Sequence, residues 1–229
     1  MTAPRRIGLL GGSFNPAHPG HRQISLSAMK ALGLDEVWWL VSPGNPLKPK
    51  AGMAPLNARM AHARKIARRA PVRITAIERD LGTRYTVDTL RALVQRYPRT
   101  HFVWLMGGDN LEQFGQWRNW RGIARIMPIA VIARPGYGGG IHGSSAMNWL
   151  RRFVRPASQG RDWTDWRPPA LVLLRFRPDP RSATLLRRDT PFWYREYEAA
   201  AVRDGLTHRM VAATGAAPAS LPESLKELH

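Results

Sequence analysis

Short apolar runs alternate along this chain with longer stretches in which apolar positions recur every three or four residues. The first pattern predicts strands over residues 6–10, 36–41, 72–75, 101–106, 129–133 and 170–176. The second predicts amphipathic helices over residues 20–32, 56–69, 86–97 and 144–153. Strands that alternate with helices in this way predict an α/β fold, with a mainly parallel sheet covered by helices. Every predicted strand except 72–75 runs into Gly, Pro, Asn or Ser at its C-terminal end. In open parallel sheets that edge is where ligands bind.

Stretches 136–143 and 155–169, with scattered Gly, Pro and Asp, read as loops, and no internal repeat is present. After about Arg188 the rhythm stops. Residues 1–188 are expected to form one catalytic domain. Residues 189–229 are expected to form an appendage, with a helix near 194–203 before an Ala/Pro/Ser-rich end that is partly disordered.

Composition changes this picture little. A length of 229 residues suits one α/β domain and a tail, and 44% hydrophobic residues suit a packed core. No apolar run approaches the roughly 18 residues of a membrane helix, and residues 1–10 lack the features of a secretory signal. A cytoplasmic protein without membrane partners is the expectation. Cysteine is absent, which excludes disulfides and thiolate metal sites. The net charge of +19 rests on 35 basic residues, only five of them lysine. Such a field attracts nucleotides, phosphorylated metabolites or nucleic acid, although a general arginine bias would produce it too. The charges are scattered rather than gathered in one run. A basic nucleic-acid-binding protein is therefore the non-enzymatic alternative, but no RNP-like or zinc-knuckle motif supports it.

The most informative segment follows the first predicted strand: Gly11-Gly12-Ser13-Phe14-Asn15-Pro16-Ala17-His18-Pro19-Gly20-His21. Paired glycines let a backbone approach a ligand where a Cβ would collide. Pro19 suits the first turn of the next helix, whose N-terminus offers free N–H groups and a positive dipole end to phosphate. His18 and His21 stand beside that end and could stabilise charge during phosphoryl or nucleotidyl transfer. The segment is neither a Gly-x-Gly-x-x-Gly fingerprint nor a Gly-Lys-Ser/Thr loop. Metal ligation by the two histidines finds no third ligand nearby.

The run Gly-Gly-Ser-Phe-Asn-Pro-x-His-x-Gly-His resembles the signature of the His-x-Gly-His nucleotidylyltransferases, and its Phe-Asn-Pro core resembles the bacterial nicotinate-nucleotide adenylyltransferases in particular. Further segments resemble that family in order. They are Pro43-Gly44-Asn45-Pro46-Leu47-Lys48, Arg84-Tyr85-Thr86-Val87-Asp88-Thr89-Leu90, Gly107-Gly108-Asp109-Asn110-Leu111, the pair Trp117 and Trp120, and Ala133-Arg134-Pro135-Gly136-Tyr137. The last segment, Arg181-Ser182-Ala183-Thr184-Leu185-Leu186-Arg187, departs from the family's pattern, because Ala183 has lost a hydroxyl and Arg181 replaces an apolar residue. Gly115 stands where the family often carries histidine. The resemblance covers roughly residues 6 to 188.

The resemblance implies a Rossmann-like open sheet with helices on both faces. It implies an adenylyltransferase that joins the AMP part of ATP to nicotinate mononucleotide in NAD biosynthesis and releases pyrophosphate. It places ATP on Gly11, Gly12, Ser13, Phe14, His18, His21, Gly107, Asp109, Ser182, Thr184 and Arg187. It places nicotinate mononucleotide on Asn15, Lys48, Tyr85, Thr86, Trp117 and Arg134. In that reading the pyridine ring stacks on Trp117, its carboxylate meets the backbone near Tyr85 and Thr86, and Trp120 packs inside. His18, His21, Lys48 and Arg187 would stabilise the reacting phosphates. Mg²⁺ would be held mainly by the ATP phosphates and water, with no dedicated protein ligands. A different acceptor within the same superfamily, such as nicotinamide mononucleotide, is the nearest alternative. A weakened homologue is another, motivated by the altered 181–187 segment. For the Tyr85–Leu90 segment, helix capping by Thr86 explains the residues nearly as well as ligand binding does.

Overall fold

The computed structural model describes residues 3–44, 52–133, 144–175 and 183–213. Lys48, Arg134 and Ser182 lie outside these residues. Among the described residues, seven strands form one sheet: β1 (Arg5–Gly12), β2 (Glu36–Val41), β3 (Val72–Thr75), β4 (Thr100–Gly107), β5 (Ile129–Ala133), β6 (Val154–Arg155) and β7 (Leu171–Arg175). Their spatial order is β3-β2-β1-β4-β5-β7-β6, and every pairing is parallel. The chain works outward from β1 to β3, then crosses back to lay β4 on the other side of β1. Gly8 pairs with Val37 on one side and Val103 on the other. The C-terminal ends of β1 and β4 therefore border the point where the strand order reverses, the place such sheets use for ligands.

Strand alternation sorts the side chains into two apolar layers. Ile7, Leu9, Trp38, Leu40, Phe102 and Trp104 face α3 (Ile77–Leu81), α4 (Thr86–Arg96), α5 (Gly108–Phe114), α6 (Trp120–Ile126) and α7 (Ser145–Leu150). Leu10, Val37, Trp39, Val41, Val103 and Leu105 face α1 (Pro19–Leu32) and α2 (Leu56–Ala67). Helices thus cover both faces, and the inner strands are apolar on both sides. That is why they read as continuous hydrophobic runs. Among the described residues no helix is long and apolar enough to cross a membrane.

The predicted strands agree with the observed ones to within two residues at each end. Three local expectations do not hold. Stretch 155–169 is not only a loop: it contains the 3₁₀ helix Ala157–Asp165, anchored by the buried Trp163, whose indole N–H donates to the Leu32 carbonyl at 3.0 Å. The helix expected near 194–203 is a 3₁₀ turn, Arg195–Tyr197, followed by the first strand of an antiparallel pair, β8 (Val202–Arg203) and β9 (Met210–Val211). Asp204 and Gly205 bind the edge of the main sheet there, and hydrogen bonds to another element override local helix propensity. Finally, Thr86 does not cap α4: the N-cap is Tyr85, and Thr86 is the first helical residue. The chain after α8 (Ala183–Asp189) returns to α2 and β3. Asn57, fully buried, donates through Nδ2 to the carbonyls of Glu198 (2.8 Å) and Ala200 (2.9 Å).

Candidate active site

The glycine-rich loop leaves the end of β1 over the indole of Trp104. A Cβ on Gly11 would stand 2.5 Å from that ring, so only glycine permits the approach. Phe14 follows with φ of 47°, a left-handed conformation that strains a bulky side chain. Packing holds it there. The Phe14 ring stacks on Trp39 at 5.0 Å between centroids and meets His21 at 4.8 Å.

His18 is the N-cap of α1, with Pro19 at the first helical position. Its backbone N–H donates to Nδ1 of His21 at 3.2 Å, and the two rings lie 3.9 Å apart. With Nδ1 accepting, the neutral His21 ring carries its proton on Nε2. The base of this turn is tied to the sheet. Ser25 Oγ donates to the His21 carbonyl at 2.9 Å and accepts from the Trp39 indole at 2.8 Å.

Arg59 fixes the loop from below. It is 1% exposed, and burial lowers its pKa to about 10, so it remains a cation at neutral pH. It donates to the carbonyls of Ala54 (2.9 Å), Ser13 (2.7 Å) and Ser42 (2.7 Å). The loops after β1 and β2 are thereby joined through one guanidinium. Asn15 adds a second tie, donating to the Gly52 carbonyl at 2.9 Å and accepting from the Ala54 N–H at 3.2 Å.

Beside this loop a pocket of about 470 Å³ opens. Gly11, Gly12 and Ser13 form one wall, and Tyr85 and Thr86 at the start of α4 form another. Trp104 and Trp117 supply aromatic surface, with ring centroids 6.3 Å apart at 77°. The Trp104 indole N–H is buried and has no hydrogen-bond partner among the described residues. At the start of α4 the Asp88 N–H donates to the Tyr85 carbonyl at 3.0 Å, and the amides of Thr86 and Val87 ahead of it precede the first helical hydrogen bond and suit an anion. Arg84 and Arg118 line the rim, with guanidinium carbons 5.9 Å and 4.4 Å from the centre of the Tyr85 ring. Apolar ring surface, free amides and cations together suit a flat heteroaromatic ligand with anionic groups.

One acid interrupts this cationic lining. Glu78, on the short helix α3, faces the same pocket. Burial pushes its carboxyl up to about 7, opposed by a hydrogen bond with Ser42. The β8–β9 segment holds α3 in place from outside. Asp204, 1% exposed, accepts from Thr75 Oγ1 (2.9 Å) and from the Ala76 N–H (2.7 Å) at the start of α3. Thr207 Oγ1 donates to Asp80 at 2.9 Å, and Arg209 reaches Asp80 at 3.4 Å.

Gly11, Gly12, Ser13, Tyr85, Thr86 and Trp117 are thus brought together by the fold. His18 and His21 stand next to that wall, at the start of α1. Arg187, near the other end of the chain, donates to the Asn15 carbonyl at 2.5 Å and to Thr184 Oγ1 at 3.4 Å, which brings α8 to the same loop. Gly107 is the N-cap of α5 and Asp109 lies exposed in its first turn, beside the pocket-lining Asn110. Two expected residues have their side chains committed elsewhere. The Phe14 side chain is buried beneath His21, which leaves its backbone for a ligand, and both ends of the Asn15 amide hold the 52–54 turn. Sequence reading missed Arg59, Glu78, Trp104 and Arg118. Arg84 and Asn110 also line the pocket; both stand inside segments that resemble the family, yet neither was assigned a role from sequence.

Comparison with known proteins identifies the chain's relatives. The family described as cytidylyltransferase-like matches residues 9–189. A protein of Erythrobacter litoralis named probable nicotinate-nucleotide adenylyltransferase is 60% identical over 92% of this chain and 96% of its own length. One of the same name from Cereibacter sphaeroides is 51% identical over 79% and 96%. Among solved structures, the Plasmodium falciparum nicotinic acid mononucleotide adenylyltransferase complexed with NaAD is similar in fold, with a TM-score of 0.58. Identity there is 16% over 80% of this chain and 83% of that one.

Proposed function

The chain belongs to the nicotinate-nucleotide adenylyltransferases of the cytidylyltransferase-like family, and we propose that it joins the AMP part of ATP to nicotinate mononucleotide. The observation that carries this reading is one juxtaposition. An aromatic pocket with free helix amides and arginines lies against the glycine-rich loop, and two histidines stand at the helix start beyond it.

In this reading the pyridine ring lies on Trp117, and its carboxylate meets the first amides of α4 at Tyr85 and Thr86. An oxygen of the mononucleotide phosphate attacks the α-phosphorus of ATP in line. The bond from that phosphorus to the bridging oxygen breaks, and pyrophosphate leaves with the electron pair. The attacking group is already an anion, so the protein needs neither a nucleophile of its own nor a strong general base. Its work is positioning and charge stabilisation. Gly11, Gly12 and Ser13 let the phosphates approach, and His18 and His21 donate to them. Arg187, with Thr184 beside it, and Lys48 and Ser182 supply further charge and hydrogen bonds. Gly107 and Asp109 meet ATP, Asp109 by a hydrogen bond or by orienting the metal-bound phosphates, and Arg134 meets a phosphate.

Among the described residues no three His, Asp or Glu side chains gather. In this reading a magnesium ion comes in with the triphosphate and its water, and when bound it would neutralise phosphate charge.

The test is pyrophosphate release from ATP and Mg²⁺ with either nicotinate mononucleotide or nicotinamide mononucleotide. The expected result is rapid release with the nicotinate form and the dinucleotide as product. Preference for the nicotinamide form would overturn the acceptor, and release with neither would overturn the reaction.

A further inference from the structure

The pocket that receives the acceptor contains an acid that the reaction described above does not use. Glu78 sits on the five-residue helix α3, which packs on β2 and α4, and it lines the pocket with Ser42, Arg84, Tyr85 and Thr86. A carboxyl is an unexpected wall group for an acceptor that brings both a carboxylate and a phosphate. Its position is held on purpose-built contacts. Asp204 grips the Ala76 N–H at the head of α3, and Thr207 and Arg209 hold Asp80 at its far end.

We propose that Glu78 is a specificity-determining residue of the acceptor pocket, discriminating by its own charge between a mononucleotide that carries a ring carboxylate and one that carries a carboxamide. This rests on the functional reading above. A neutral Glu78 carboxyl donates a hydrogen bond to a ring carboxylate. An ionised Glu78 repels that carboxylate and accepts from a carboxamide N–H instead.

The charged neighbours leave the role to Glu78. On α3 itself, Asp80 is engaged by Arg79 at 3.5 Å and by Arg209 at 3.4 Å. On α4, Asp88 pairs with Arg91 at 3.6 Å. From the loop before α4 and from the segment after α5, Arg84 and Arg118 lie on the Tyr85 ring. At the end of β2, Ser42 supplies a hydroxyl. Among the described residues no ion pair reaches Glu78. Its carboxyl is desolvated enough to hold its proton up to about pH 7.

The experiment measures kcat/KM for nicotinate mononucleotide and for nicotinamide mononucleotide between pH 5.5 and 8.5, in the wild-type protein and in Glu78→Gln. The ratio of the two constants is the readout. Titration of the phosphate, of ATP and of the histidines is common to both acceptors and cancels in it. In the wild type the ratio of nicotinate to nicotinamide form should fall by about tenfold or more as Glu78 ionises. In Glu78→Gln, a neutral side chain of the same size, the ratio should be constant across the range. A constant wild-type ratio would overturn the assignment without need of the variant. A variant whose ratio still falls like that of the wild type would overturn it too. Turnover of neither acceptor by wild-type protein would instead overturn the functional reading, and this inference with it.

Discussion

Arg59 donates to the carbonyl of Ser13 across 46 residues of chain, at 2.7 Å, and the same nitrogen holds the carbonyl of Ser42 at 2.7 Å. The glycine-rich loop and the loop after β2 are therefore one mechanical unit, stapled by a buried cation that pairs with carbonyls rather than with a carboxylate. Arg59→Leu would leave the carbonyls of Ser13, Ser42 and Ala54 without their donor. Each orphaned buried acceptor costs about 1–3 kcal/mol, so the variant should lose about 3 kcal/mol or more in chemical denaturation. Its KM for ATP should rise with it, because the phosphate-facing amides are no longer fixed.

Asp204 places the start of α3, and α3 places Glu78. Asp204→Asn keeps the size of the side chain but replaces one of its two accepting oxygens with an amide NH₂, which then faces either the Ala76 N–H or the Leu206 N–H, donor against donor. The expected outcome is a higher KM for the acceptor with the KM for ATP nearly unchanged, alongside a lower Tm. Equal changes in both constants would show that the β8–β9 segment supports the whole sheet edge rather than the acceptor pocket.

His18 caps α1 and shares its ring face with His21. Loss of one charge-stabilising donor costs about 10²–10³ in rate in other enzymes. His18→Ala should lose activity of that order in kcat, with a circular dichroism spectrum like that of the wild type. Near-normal turnover would remove His18 from the reaction.

Glu78 also predicts a pH dependence of stability. Its folded pKa of about 7 lies above the ordinary 4.5, so between those values the folded chain holds a proton that the unfolded chain has released. Stability from this group is complete below about pH 4.5 and is lost as pH rises toward 7. Glu78→Gln removes the effect. Its Tm minus that of the wild type should therefore grow from pH 4.5 to 7 and level off above, as read by thermal unfolding in matched buffers.

The sequence by itself determined the sheet and the chemistry of the first loop. Strands such as β2, with all six residues buried, announce themselves because both faces are covered and five of the six positions, Val37 to Val41, are apolar. The Gly-Gly-Ser-Phe-Asn-Pro-x-His-x-Gly-His run announces a close-approach loop and a helix start because its glycines, proline and histidines meet those local backbone demands, and it carries the proposal of a phosphate site. Tertiary structure alone decided the rest. Helix α3 has five residues, too few for a periodic signal, and it exists in its observed place because Asp204 binds its first amide from 128 residues away. On an amphipathic helix Arg59 looks like a solvated charge, and only the carbonyls of three separate segments give it a buried role. Glu78 reads as one more surface acid until the fold closes a pocket over it. Local pattern reports which residues must be buried or must turn. It does not report which distant backbone groups will meet a side chain, and in this protein those meetings shape the pocket beside the glycine-rich loop.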